Sequence, residues 1–185
     1  MIKSAAFIVA LPLLASAFAT AGYVAPANAN ERDRQFFESV EGEWVGPGEI
    51  VAGKYKGTKF TCTFSGSTPS KKVGMTLDGG CRVGMFTQKM SATVVHSGRE
   101  GYRGTFMDGA EGKGLDIISG NVVDGRKVVL ALNRSQLRGV MQARLPTDNT
   151  MNVTVSVRVD KAMVPVIGMN LKRVDGVAVG SVSSQ

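Results

Sequence analysis

Side chains that carry chemistry are scarce in this chain. It has one histidine, His96, and two cysteines, Cys62 and Cys81, in 185 residues. A Ser-His-Asp site needs a nucleophile within hydrogen-bond reach of a held imidazole. His96 sits beside Ser97-Gly98 at the end of an apolar run, and nothing in its spacing supplies that geometry. Two isolated cysteines and one distant histidine do not make the four-ligand set of a zinc site. No C-x-x-C spacing exists, so a redox-active dithiol is not expected. The acids that might pair for proton transfer, Asp108, Glu111, Asp116 and Asp124, fall at or near turn signals, where Asp serves the backbone. No catalytic residue, no metal site and no cofactor are therefore expected. Aromatic residues are only 6% of the chain, too few for the girdles of an outer-membrane barrel.

The first twenty-nine residues differ from the rest. Lys3 is followed by an uncharged stretch, Ala5 to Ala21, and Ala27-Asn28-Ala29 places small residues ahead of the polar run from Asn30 to Arg34. This is the pattern of a secretory signal peptide cleaved after Ala29, which assigns residues 1–29 to the signal and predicts a periplasmic protein. Asn30, not a cysteine, directly follows that point, so a lipid anchor there is not expected. The remaining 185 − 29 = 156 residues suit one domain. They hold no apolar run of the ~18 residues that a spanning helix needs.

Charge is one-sided. Lys and Arg number 22 against 15 Asp and Glu, a formal net charge of +7. In an exported protein, nucleic acid is not the expected partner; the scattered excess reads first as solubilising surface charge, and the polyanions it could meet are envelope lipid and acidic polysaccharide. The densest basic cluster is Lys54, Lys56 and Lys59 with Lys71 and Lys72, read as lying around one hairpin and forming a candidate anion-facing patch. Cys62 and Cys81, an isolated pair in an oxidising compartment, are expected to form one disulfide. Beyond Met1 the methionines are dispersed over many runs, which fits core filling better than copper binding.

Residues 30–41 are polar with Phe36, Phe37 and Val40 at helical spacing, and predict a short N-terminal helix. Eleven short β-rich runs follow, among them Lys72–Leu77 and Cys81–Phe86, with Asp78-Gly79, Asp108-Gly109 and Asp124-Gly125 as tight-turn signals between runs. Met151–Asp160 has the cleanest period of two, with Met151, Val153, Val155, Val157 and Val159 on one face. No connection is long enough for crossover helices, so the strands should form an antiparallel meander. Closure removes the exposed edges. The expected fold is all-β: one domain over residues 42–175, a small barrel of about eight to ten strands, with a flexible tail at 176–185.

Gly42-Glu43-Trp44 opens the first strand just after the short helical segment. This G-x-W start resembles the calycins, the superfamily of lipocalins, fatty-acid-binding proteins and avidins. The resemblance implies an Arg near the end of the last strand packed over that Trp to close the barrel. Here Arg173 lies on the same face as Leu171, Met169 and Ile167. More narrowly, Gly80-Cys81-Arg82-Val83-Gly84, Trp44-x-Gly46-x-Gly48 and Leu171-x-Arg173 look like a family of short exported bacterial proteins of unassigned function.

The expected function is non-catalytic binding, either of a small apolar ligand in the barrel or of an envelope component at its rim. Val153, Val155, Val157, Met169 and Leu171 are the candidate interior lining. The alternative is a structural or inhibitory envelope protein that acts through its surface on a protein partner.

Overall fold

The structure, a computed structural model, describes residues 27–107 and 114–174. A helix, α1 (Ala27–Glu38), leads into ten strands. These are β1 (Gly42–Ile50), β2 (Lys59–Ser67), β3 (Gly74–Val83), β4 (Phe86–His96), β5 (Tyr102–Met107), β6 (Leu115–Val123), β7 (Lys127–Arg134), β8 (Leu137–Thr147), β9 (Thr150–Val159) and β10 (Ala162–Arg173). Each strand pairs antiparallel with its sequence neighbour, and β1 pairs with β10, so the meander closes into a barrel. The fold is all-β with one short helix.

Register and hydrophobic period agree around the ring. On β2 the inward Phe60, Cys62, Phe64 and Gly66 alternate with Thr61, Thr63 and Ser65, which face solvent. On β9 the inward Met151 and Val153 alternate with Asn152 and Thr154. Apolar side chains point in and polar ones out, the reverse of a barrel that crosses a membrane. No helix among the described residues is long and apolar enough to cross one.

An up-and-down barrel puts alternate connections at opposite ends. The β1–β2, β3–β4, β5–β6, β7–β8 and β9–β10 connections lie at one end, the mouth. The helix lies at the other, where Phe36, Phe37 and Val40 join Trp44, Tyr102, Leu145 and Leu171 in the buried core. The helix begins at Ala27 rather than after Ala29, because Ala continues a helix readily. The first twenty-six residues of the expected signal segment, the Asp108-Gly109 turn signal and the tail from residue 176 lie outside the described residues.

Two expectations are corrected. Lys72–Leu77 and Cys81–Phe86 are not separate strands: Asp78-Gly79 lies inside β3, and pairing with both β2 and β4 runs straight through it. Gly79 faces inward beneath the Phe64 ring, and a Cβ there would run into that ring and the Thr63 carbonyl oxygen. The glycine serves close strand approach, not reversal. The lysine cluster is also divided. Lys54, Lys56 and Lys59 belong to the β1–β2 hairpin at the mouth, whereas Lys71 and Lys72 lie in the β2–β3 connection at the helix end. The nine residues of β2 separate the two groups by about 30 Å. Asp124-Gly125 does form a tight turn, with both residues at positive φ between β6 and β7.

Candidate functional site

The helix end is a closure. Trp44 is 0% exposed, and its indole N–H donates to the Val40 carbonyl at 2.9 Å. Arg173 pairs with Trp44 in the β1–β10 register, and its guanidinium carbon lies 4.4 Å from the ring centroid. The same guanidinium donates to the carbonyls of Ser39 and Glu41, just past the helix, and to Asp148 in the β8–β9 turn. One cation thus ties together the carbonyl-rich C-terminus of α1, the first and last strands and a turn. An Arg suits this place because its flat fork both stacks and branches.

A second tie was not legible in the sequence. The hydroxyl of buried Tyr102 donates to Asp33 Oδ2 at 2.8 Å, from β5 to the helix. Phe37 and His96 pack edge-on to the Tyr102 ring, with centroids 4.9 and 5.4 Å away. Burial first, then the hydrogen bond to Asp33 and its negative charge, push the Tyr102 pKa far up. Asp33 and Tyr102 are 69 residues apart in the chain, and neither belongs to a motif. His96 is half-buried against Tyr102 at the end of β4. The group pins the helix down, with the Tyr102 side chain buried beneath it.

Inside the barrel, Cys62 and Cys81 are directly opposed on β2 and β3 and bonded, with Cα atoms 4.0 Å apart. Val153, Val155, Met169 and Leu171 all face in. Val153 and Leu171 are buried, while Val155 and Met169 are partly buried beside the core. Val157, one step nearer the mouth, is also partly exposed. Exposure inside the barrel is uneven. Toward the mouth the inward apolar side chains Phe60, Met90, Phe106, Leu115 and Met141 retain solvent contact, while Ile117 and Leu132 beside them are buried. At the helix end Trp44, Leu145 and Leu171 are buried, and Met75 and Leu77 on β3 are partly buried. The strand carboxylates Glu43, Glu49, Asp78 and Asp116 all lie in outward register. No group of three or more metal-ligating side chains occurs among the described residues.

Two clefts lie outside the lumen. One, of about 570 Å3, runs over the outer wall at β7 to β10, lined by Ala131, Val140 and Met163 and flanked by Arg138 and Arg158. The other, of about 560 Å3, lies where Glu38, Glu41 and Arg173 meet Ser67 and Thr68. Lys54, Lys56 and Lys59 share the mouth with a set of exposed apolar tips, of which Met85 and Phe86 on the β3–β4 hairpin are the most exposed. Their signal in the sequence was a pair of large apolar residues directly after Gly84, a turn position that normally holds polar residues.

No family model matches the chain, and no curated protein matches it. Among solved structures it is similar to a protein of unknown function from the DUF3598 family of Nostoc punctiforme, with a TM-score of 0.48 and 13% identity. That similarity covers 75% of this chain and 49% of the other, so this chain spans about half the length of that neighbour.

Proposed function

We propose that this protein is an exported, non-catalytic binding barrel of calycin type, working in the periplasm, whose mouth-side interior takes a small apolar molecule. The observation that carries this reading is the set of inward apolar side chains toward the mouth that keep solvent contact. Small barrels are either filled by side chains or hold one small ligand. Here Phe60, Met90, Phe106, Leu115 and Met141 stay in contact with solvent, above a core that includes buried Ile117, Leu132 and Trp44. Phe60, Met90, Met141 and Met169 are long or flexible enough to repack around a chain-like guest. The outward register of the strand carboxylates and the burial of Tyr102 support a role without catalysis. The stacking of Arg173 on Trp44 supports the calycin reading, and the buried disulfide is compatible with an oxidising compartment.

The test is a thermal-shift screen against fatty acids and related apolar compounds, run on the purified protein and on Met141→Trp. A bound ligand stabilises the fold by about 2.7 kcal/mol at a hundredfold excess over its dissociation constant. The expected result is a shift in the parent that Met141→Trp abolishes by filling the lumen. A shift that survives Met141→Trp refutes binding in the lumen. A salt-sensitive shift with anionic polysaccharide alone moves the site to Lys54, Lys56 and Lys59.

The second reading is a protein that acts through its surface on a partner in the envelope. The observation favouring it is that both clefts described above lie outside the lumen. A pull-down partner whose binding is lost on Met163→Glu, with no apolar shift, would establish it in place of the first.

A further inference from the structure

We propose that the mouth rim is a docking surface for an anionic lipid bilayer. This deepens the ligand-binding reading and rests on it for its purpose: a lipid could pass between bilayer and lumen without crossing water.

The argument starts from where exposed apolar side chains lie. Single ones are ordinary on any surface; a cluster is not. Apart from Ile118, Val123 and Val174, every large apolar side chain exposed among the described residues lies in or beside a mouth connection. On the β3–β4 hairpin, Met85 is 94% and Phe86 81% exposed, with Val83 beside them. On the β1–β2 hairpin Tyr55 is 63% exposed. Leu137 and Val159 project beside the β7–β8 and β9–β10 turns. At the helix end the corresponding turns read Ser97-Gly98, Asp124-Gly125 and Asp148-Asn149. The most exposed apolar tips, Met85, Phe86 and Tyr55, belong to one end of the barrel.

The same hairpins carry cations. Lys54 and Lys56 flank Tyr55, with the Lys54 ammonium 5.5 Å from its ring centroid. Arg82 precedes Val83, Arg138 follows Leu137, and Lys161 sits in the turn after Val159. Asp160 is the one acidic residue in the described mouth turns. Three of the mouth connections are short: Gly84-Met85, Ser135-Gln136 and Asp160-Lys161 are two-residue reversals, while Tyr55 stands on the longer connection 51–58.

A ring of separate apolar tips alternating with cations fits a fluid anionic interface. Each tip inserts at the headgroup boundary while each Lys or Arg meets phosphate. Charge complementarity selects the anionic bilayer as the occupant. The tips stand on separate hairpins at one end of the barrel. At that end Phe60, Phe106 and Met141 are the partly buried inward side chains.

The experiment is flotation of the purified protein with phosphatidylcholine vesicles, with and without phosphatidylglycerol, at low and high salt. Phe86→Ser and the double variant Lys54→Glu/Lys56→Glu are compared with the parent. Both change exposed mouth residues away from the core, and an unchanged melting temperature checks that they fold. The expected result is binding to the anionic vesicles that weakens with salt. Phe86→Ser should lower partitioning roughly tenfold, and the charge reversal roughly tenfold or more at low salt. No binding to anionic vesicles at low salt, or variants that bind like the parent, overturns the proposal. So does a self-association seen by sedimentation without vesicles and lost in Phe86→Ser, since the rim would then serve a second copy. A vesicle-free thermal shift by fatty acid is read in parallel. If it persists while flotation fails, the rim proposal falls alone; if flotation succeeds without it, the lumen reading falls alone.

Discussion

Replacing Arg173 with Met keeps much of the side-chain length and removes the charge, the stacking plane and every donor. Its guanidinium stacks on a fully buried indole and bonds to three carbonyls in two other parts of the chain. A cation–π contact of this kind contributes about 1 kcal/mol. A hydrogen bond from a charged donor contributes about 1.5–3 kcal/mol when sheltered, and much less when solvent competes. Of the three, the bond to Ser39 is partly buried and the other two are exposed. Discounting the exposed pair gives a loss of about 2–4 kcal/mol. For a domain of this size, that is a fall in melting temperature of roughly 5–15 °C. The assay is urea unfolding followed by tryptophan emission, which reports this site alone because Trp44 is the sole Trp. Arg173→Lys keeps a charge but neither the fork nor the plane, and should lose an intermediate amount. A double-mutant cycle with Trp44→Phe should return a coupling of about 1 kcal/mol for the stacked pair. A loss below about 0.5 kcal/mol for Arg173→Met, the level of an ordinary surface change, would refute the closure argument.

Stability should fall in alkali through Tyr102. Its folded-state pKa is raised above the ordinary 10.0 by burial and by Asp33, so the native state keeps a proton that the unfolded state releases. The contribution is complete below pH ~10 and is lost above it at about 1.4 kcal/mol per pH unit. Tyr102→Phe should flatten that alkaline limb in denaturant titrations; an unchanged slope would show that Tyr102 does not cause it. Removing the disulfide with Cys62→Ala/Cys81→Ala should cost about 3 kcal/mol, for a sequence separation of 19. Non-reducing peptide mapping checks the pairing itself, and two free thiols in the purified, unreduced protein would contradict it.

Much of the architecture was legible because the pleat writes itself into the chain. The alternation of Met151, Val153 and Val155 with Asn152, Thr154 and Ser156 marks a strand with one dry face, and the register makes that face the interior. Short connections exclude crossover helices, and the closed meander follows from them. Where local signals misled, tertiary contact outweighed them. Asp-Gly at 124–125 lies between the paired ends of β6 and β7 and turns; Asp-Gly at 78–79 is paired on both edges, with Gly79 directly opposite Phe64, and does not.

By itself, the sequence determined what depends on near neighbours: the period of two, the turn at Asp124, and the placing of Cys62 and Cys81 on separate runs. Only the tertiary structure decided what depends on closure. It joined Asp33 to Tyr102 across 69 residues of chain and Arg173 to the Ser39 carbonyl across 134. It divided the lysines between two ends, because a strand's length is invisible in a count of charges. It also gathered Tyr55, Phe86, Leu137 and Val159 at one rim, because in an up-and-down barrel every second connection returns to the same end.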